Sequence, residues 1–406
     1  MPTFGKTFNK LLFYLIIISL SISPAFATDP IDNRNYLLIG CMFLGPIIVL
    51  LSGKILPKID IPILLLILLT FSTQLAFHPS TFRPSTVLFS CMFYIYFLAA
   101  VRCFIVANLS INSITILIKY LIYAYTIVLI IQQLCVIMGF PVFNLICDYS
   151  THNPWKLNSL SAEPSHTARY LGVLMYTFLK LCDIARGHTI GLSSSFKEFK
   201  SVWLAFLWVM ITMMSGTAMI ILALILTRYL KPKNIAIIFT FLALIFTIGL
   251  TSDFKPLKRS TTFIQAVTTG DTNLMIKADH SASIRVVPLI LCLQHIDPET
   301  IDGWVGKGVD STSKWMSKKM PGVPHGWSGG AIANYILEYG LIVGFLFIVF
   351  SFWCCYDSNN KISTIGFWIM CVLFIGVNTQ IGWLCIVLLF IDKRIHINHA
   401  NTCVLR

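Results

Sequence analysis

Apolar segments recur along the chain from Leu11 to Ile391, and a single long polar stretch, residues 251–330, interrupts them. Most of these segments have about 17–25 residues, which is the length that an α-helix needs to cross a bilayer. Of the 406 residues, 56% are hydrophobic and 12% are charged, and the mean hydropathy is +0.79. Soluble globular domains of this size do not have such a composition. The sequence therefore predicts an all-α polytopic membrane protein.

The pattern predicts about twelve transmembrane helices, with one large loop between the ninth and the tenth. The predicted spans are 11–27, 36–52, 61–77, 85–107, 111–139, 165–184, 201–214, 216–230, 233–250, 331–353, 362–378 and 380–391. The chain thus divides into a first membrane region (1–250), which includes a shorter outer loop at 140–164, then the large loop (251–330), and a second membrane region with a tail (331–406).

Lysine and arginine are concentrated in alternate turns, and short loops rich in these residues stay in the cytoplasm. Lys6 and Lys10 precede the first span, and Lys393 follows the last. Both termini are therefore predicted to be cytoplasmic, and the two loops to lie on the outer face of a plasma membrane. Residues 1–27 also match a cleavable signal peptide, and this alternative leaves the orientation of the later spans unchanged.

The formal net charge is +13, and many of the basic residues lie in the large loop, on the side where they are usually sparse. Two explanations stay open: these charges bind an anionic substrate, or a long loop simply tolerates them. Nucleic acid is not expected as a partner in that compartment. The 12 cysteines include no CxxC spacing and no Cys/His cluster, so no metal site is predicted. Cys147 and Cys292, one in each outer loop, leave a single disulfide open.

The first candidate site is the segment Ser161-Ala-Glu163-Pro164-Ser165-His166-Thr167-Ala168-Arg169, at the outer start of the sixth span. Pro164 is typical of the first turn of a helix, and the free N–H groups of a helix start favour an anion. Arg169 is expected about 7–8 Å deeper, where an ionisable group indicates function by default. The alternative is an arginine that extends to the membrane surface and pairs with Glu163 or a lipid phosphate.

The second candidate site lies in the large loop. Arg285 opens an apolar segment that is too short to span, and this pattern predicts an amphipathic helix on the outer membrane surface. A flexible Gly306-Lys307-Gly308 stretch follows, and then His325 and Trp327. The glycines do not follow a predicted strand, so they do not indicate a nucleotide-binding fingerprint.

Four features occur in a particular order along residues 155–350. They are Glu163-Pro164-Ser165 at the start of an outer-facing helix, a hairpin around Met214-Ser215-Gly216-Thr217-Ala218, Arg285 ahead of Gly306-Lys307-Gly308, and Asn334-Tyr-Ile-Leu-Glu338-Tyr-Gly340-Leu-Ile-Val-Gly344 at the tenth span. In this order and topology, the chain resembles the O-antigen polymerase and ligase superfamily.

The resemblance implies a bacterial inner-membrane glycosyltransferase that works on the periplasmic face. Such an enzyme polymerises undecaprenyl-pyrophosphate-linked oligosaccharide repeat units into O-antigen, capsule or exopolysaccharide, with no cofactor and no required metal. Its partners are this lipid-linked glycan and the lipid bilayer, and whether a chain-length regulator also binds stays open.

Two alternatives remain. An O-antigen ligase would transfer the glycan to lipid A core, but the ligase pattern has His-Asn about ten residues before the glycine that is Gly340 here. This chain has Gly329-Gly330 at that place, with His325 upstream and Asn334 downstream. A flippase or other transporter is expected to show two related halves, and no internal repeat is visible.

The resemblance assigns Arg169 and Arg285 to the diphosphate, which guanidinium groups bind through paired hydrogen bonds without losing their proton. An acceptor hydroxyl needs a base, for which Glu163 is the first candidate and the loop histidines are alternatives. The predicted catalytic residues are Glu163, Arg285 and His325, and the predicted substrate-binding residues are Arg169, Ser165, His166, His280, Lys307 and Trp327.

Overall fold

The computed structural model describes residues 2–25, 35–52, 55–145, 153–213, 215–229, 247, 255–278, 280–319, 330 and 335–404. Helices make up 80% of the structure, and the described residues form no β-strand. The all-α class is therefore confirmed, as expected for a chain whose backbone polar groups must be paired within each segment in lipid.

The helices before the large loop are α1 (Pro2–Ser21), α2 (Tyr36–Met42), α3 (Leu44–Leu51), α4 (Pro57–Phe77), α5 (Pro84–Ala107), α6 (Ile111–Met138), α7 (Pro164–Arg186), α8 (Leu192–Glu198), α9 (Lys200–Thr212) and α10 (Gly216–Thr227). The loop and the segments after it contain α11 (Lys255–Thr269), α12 (Thr272–Ala278), α13 (His280–His295), α14 (Ile301–Val305), α15 (Ser311–Lys319), α16 (Leu337–Cys355), α17 (Lys361–Trp368), a π-helix (Ile369–Leu373) and α18 (Gln380–Val404).

Four of the described helices, α4, α5, α6 and α16, are long and apolar enough to cross a membrane. Shorter apolar helical segments accompany them: α2 with α3, α9, α10 and the second half of α13. The predicted span 233–250 lies outside the described residues except for Thr247. The helices support a membrane-embedded protein, and the count of twelve spans and the sides of the loops stay predictions.

Helix α7 lies at the centre of the bundle, where it packs against α6, α9, α10 and α18. It begins with Pro164 in its first turn and ends at Gly187, whose φ of 74° closes the helix in the left-handed conformation. Most of its residues are buried. We call the end of the bundle at which α7 begins the Glu163 end, and the end at which it finishes the Arg186 end.

The large loop has a small hydrophobic core of its own. Met275 of α12, Val287 and Cys292 of α13 and Met316 of α15 are buried together with Leu337 of α16. The loop therefore folds onto the start of α16 through buried apolar contact. The predicted loop helix is confirmed as α13, and its position on the membrane surface stays a prediction.

Two glycines join the loop to α16 by direct backbone contact. Gly306 has φ 88° and Gly340 has φ 86°, values that favour glycine. A Cβ atom on Gly306 would lie 2.2 Å from the carbonyl oxygen of Glu338, and one on Gly340 would lie 2.1 Å from that of Trp304. Neither position has space for a side chain. We call this contact the glycine junction.

Hydrogen bonds extend the glycine junction on both sides. The Lys307 N–H donates to the Leu337 carbonyl at 2.8 Å, and the Gly308 N–H donates to the Glu338 carbonyl at 3.2 Å. The Gln74 side chain of α4 donates to the same Glu338 oxygen at 2.9 Å. The interpretation of this glycine stretch as flexible was therefore wrong, because its backbone is paired and its glycines serve close packing.

Candidate functional site

The first candidate site forms where α7 begins. Glu163 is the residue before the helix and has an extended backbone (φ −148°, ψ 160°). Its carboxylate accepts a hydrogen bond from the Ser165 hydroxyl and lies 3.3 Å from Nε2 of His166. The side chains of Glu163 and His166 are 27% and 31% exposed. The start of α7 therefore presents an acid–imidazole pair that a ligand can reach.

Arg169 lies between one and two turns further into α7 and is 2% exposed. This burial excludes the alternative in which the guanidinium extends to the lipid surface. Its charge acts on the thiol of Cys371, which belongs to the π-helix. Single π-helical turns inside α-helical proteins often occur at functional sites. The start of α7 therefore combines a reachable acid–imidazole pair with a buried arginine further along the same helix.

Buried polar side chains fix the segment that leads into α7. The Asn158 amide donates to the Ser161 carbonyl at 2.5 Å, and the Thr167 hydroxyl donates to the Asn158 carbonyl at 2.5 Å. Gln132 of α6 accepts from the Ser159 N–H at 2.8 Å. All five residues are buried, so each of these bonds would be costly to break. The position of the candidate site is therefore set before any ligand binds.

Gln380, the first residue of α18, connects three helices at the same end of the bundle. Its Oε1 accepts hydrogen bonds from the Ser23 hydroxyl at 2.9 Å and from the Tyr170 hydroxyl at 3.0 Å. Its amide nitrogen donates to the Ser19 carbonyl at 3.3 Å. This contact holds α1 and α18 against α7 one residue after Arg169.

The end of the large loop approaches the same π-helix. A Cβ atom on Gly330, which has φ 74°, would lie 2.9 Å from the carbonyl oxygen of Leu373. Leu373 is the last residue of the π-helix, and Cys371 two residues earlier is the neighbour on which the charge of Arg169 acts. The π-helix therefore lies between the start of α7 and the end of the loop.

In the loop, Lys307 contacts a histidine. Its Nζ lies 2.8 Å from Nε2 of His295, and because an ammonium group only donates, this ring nitrogen is the acceptor. The imidazole stacks on Trp315, with ring centroids 4.5 Å apart and an angle of 7°. Burial first, and then the charges of Lys307 and Lys319, lower the pKa of His295. The imidazole is therefore neutral, and Lys307 is the only positively charged member of this pair.

Glu338 is a buried acid that the sequence analysis quoted only as part of a motif. It is 8% exposed, and its carboxylate accepts hydrogen bonds from the N–H groups of Asp310 and Thr312 and from the Thr312 hydroxyl. These groups belong to the first turn of α15, so Glu338 caps that helix from another element. In the sequence, the feature that indicates this buried acid is an acidic residue at the start of an apolar span.

The structure describes only some of the other predicted site residues. Helix α13 begins at His280 and includes Arg285, whereas His325 and Trp327 lie outside the described residues. Cys147 also lies outside them, and Cys292 is a buried free thiol. Ser165, His166 and Arg169 lie on α7, and Glu163 directly precedes it. That the loop residues join them stays a prediction.

Within the described part of the chain, no group of three or more His, Cys, Asp or Glu side chains is placed to hold a metal ion. Comparison with known proteins adds no assignment, since no family model matches the chain and no curated protein sequence is significantly similar to it. The site's own geometry is therefore the basis of the functional conclusion.

Proposed function

We propose that this protein is an inner-membrane glycosyltransferase that polymerises undecaprenyl-pyrophosphate-linked oligosaccharide repeat units at the periplasmic face. The observation that carries the proposal is the buried guanidinium of Arg169 beneath the Glu163–His166 pair at the start of α7. A ligand that occupies this place meets a fixed cation, a helix N-terminus and a proton acceptor. These are the groups that transfer from a glycosyl diphosphate needs.

The diphosphate would bind towards Arg169. In the reaction, the bond between the sugar C1 and the phosphate oxygen breaks, and negative charge grows on the leaving diphosphate. A guanidinium stabilises this charge through two parallel hydrogen bonds, and it stays protonated at every working pH. Burial of Arg169 strengthens the interaction, because the surroundings screen it less than water does.

The acceptor would approach from the exposed side of the same helix turn. Its hydroxyl oxygen forms the new bond to C1, and its proton passes to Glu163. The contacts of Glu163 with Ser165 and His166 orient the carboxylate. His166, whose Nε2 lies 3.3 Å from Glu163, can donate a hydrogen bond to the carboxylate until it takes up the proton.

The large loop supplies further support. The glycine junction fixes the backbone at Lys307, and Gly330 lies against the π-helix that contains Cys371, on which the charge of Arg169 acts. A loop fixed at these two places can present cations and aromatic side chains to the substrate's glycan. We assign Arg285 and Lys307 to the donor's diphosphate or acidic sugars on this basis.

The direct test is polymer formation in proteoliposomes that contain only the purified protein and lipid-linked repeat units. We expect a ladder of products with the natural protein and a loss of most of it with Arg169→Lys, since lysine keeps the charge but not the paired hydrogen bonds. Arg83→Lys is the matched control, because Arg83 is exposed and pairs with Asp310 at 2.7 Å. A fully active Arg169→Lys protein would contradict the assignment of the diphosphate.

Gene deletion separates the polymerase from the ligase. A single capped repeat in place of the surface ladder supports the polymerase. Bare core, with polymer retained on the lipid carrier, would instead show that the enzyme is a ligase. An unchanged ladder, together with no product in proteoliposomes, would overturn both activities.

A further inference from the structure

A second group of ionisable side chains lies inside the bundle towards the Arg186 end. Lys180 and Asp183 come from α7, Arg228 directly follows α10, Asp357 follows α16, and Asp392 comes from α18. Lys180, Arg228 and Asp392 are 6%, 9% and 3% exposed. Glycosyl transfer at the other end of α7 has no use for these groups. We call them the charged cluster.

Two ion pairs account for four of the five members. Lys180 Nζ lies 2.6 Å from Oδ2 of Asp357, and the Arg228 guanidinium pairs with Asp183. Each carboxylate has a further donor: Asp183 accepts from the Ile190 N–H at 3.1 Å, and Asp357 accepts from the Asn359 N–H at 3.0 Å. The two cations and these two carboxylates neutralise each other.

Asp392 is the fifth member, and both cations of the cluster already pair with another carboxylate, although Nε and Nη1 of Arg228 make no further hydrogen bond within the described residues. Within the described part of the chain, neither of its carboxyl oxygens has a hydrogen-bond partner of ordinary geometry. The Thr177 hydroxyl is close enough to act on Asp392 as a weak donor, and the Tyr176 hydroxyl nearby has no partner within the described residues. Burial of an ionised carboxylate in this place is compensated only in part, whereas burial of the neutral acid costs far less.

Other charged groups on α18 are engaged elsewhere. Lys393 donates to the Trp353 carbonyl at 2.9 Å, and Arg394 lies over the Phe390 ring at 5.3 Å. His396, one turn beyond Asp392, contacts the Asn359 amide at 3.2 Å. The charged groups that act on Asp392 from the other elements are those of the cluster itself: Lys180, Arg228 and Asp357.

We propose that Asp392 is a proton-binding site: it holds a proton at neutral pH, while Asp183 and Asp357 form the ion pairs with the two cations. The ligand is a single proton, and the site is distinct from the proposed glycosyltransferase centre. With the proton bound, the cluster contains two cations and two anions. Release of the proton leaves one buried negative charge in excess, so ionisation of Asp392 must be coupled to entry of water or a cation, or to a movement of the helices.

Infrared difference spectroscopy of the purified protein at about pH 7 tests this proposal, because a protonated carboxylic acid has a carbonyl band apart from the carboxylate bands. We expect the natural protein to show such a band and Asp392→Asn to lose it. Asp310→Asn is the matched control that retains the band, because this carboxylate lies outside the charged cluster and pairs with the exposed Arg83. Persistence of the full band in Asp392→Asn, or no such band in the natural protein, would overturn the proposal.

Thermal unfolding of variants in the charged cluster is a second, independent test of the proposal. Asp392→Asn replaces a neutral group by a neutral one and is expected to unfold thermally near the natural protein. Asp183→Asn and Asp357→Asn each remove the carboxylate partner of a buried cation and are expected to unfold at lower temperature. An equal decrease of the unfolding temperature in all three variants would contradict a neutral Asp392. If Asp392→Asn does not fold, Asp392→Glu replaces it: a shifted acid band supports the site, and an unchanged band overturns it.

Discussion

The glycine junction is predicted to fail when a single methyl group is added to Gly340. In Gly340→Ala the new Cβ would lie 2.1 Å from the Trp304 carbonyl oxygen, and alanine rarely adopts the required φ of 86°. The unfavourable backbone conformation costs about 1–3 kcal/mol. Loss of the Lys307–Leu337 and Gly308–Glu338 hydrogen bonds adds about 1 kcal/mol each. Together these terms amount to roughly 3–5 kcal/mol for opening of the loop.

Limited trypsin digestion measures this opening, since Lys307 and the lysines of α15 become accessible when the loop leaves α16. At about 1.4 kcal/mol per factor of ten, cleavage in residues 303–319 is expected to be at least about 100-fold faster in Gly340→Ala. Gly40→Ala is the matched control, because a Cβ at Gly40 meets nothing within 4 Å. A cleavage rate in Gly340→Ala equal to that of the natural protein would refute the reasoning.

Two further predictions concern ionisable groups. Because the pKa of His295 is below its ordinary value of 6.5, the unfolded chain binds the proton first. The loop should therefore lose stability as the pH falls from about 6.5 towards the lowered pKa, and His295→Gln should weaken this dependence in thermal unfolding measured at about pH 7.5 and 5.5. Arg102→Ala breaks a buried pair with Asp60 (3.0 Å; side chains 10% and 8% exposed) and should cost about 3–5 kcal/mol. Arg83→Ala removes an exposed pair and should cost less than about 1 kcal/mol, so equal unfolding temperatures for the two variants would contradict the difference in burial.

Much of the helical layout follows from the sequence alone. Apolar runs bounded by proline and glycine mark where helices begin and end, as at Pro164 and Gly187. Helix ends can be predicted well in a membrane protein, because each spanning segment must form its own backbone hydrogen bonds. The lengths of the helices differ more from the prediction: the predicted span 36–52 is divided into α2 and α3, and the predicted span 362–378 changes to a π-helix at Ile369.

The part of the candidate site whose residues are close together in the sequence could be predicted. Helix geometry alone puts Arg169 between one and two turns beyond Glu163, and its role in the site stays a prediction. The glycine junction could not be predicted, since Gly306 and Gly340 meet only in the folded chain and glycine in a polar loop usually indicates a turn. The burial of Glu338 and of Asp392 depends in the same way on helices that are distant in sequence.

The glycine junction has a consequence for how position 307 can vary. The backbone there is held by its own N–H and by the two flanking glycines, and Lys307 is absent from the residues with positive φ. Any L-amino acid except proline, which lacks the N–H, can therefore occupy the position with the same backbone conformation. The side chain at position 307 can change while the backbone stays in place, so the charge presented there can be altered for another anion at the cost of only the Lys307–His295 contact.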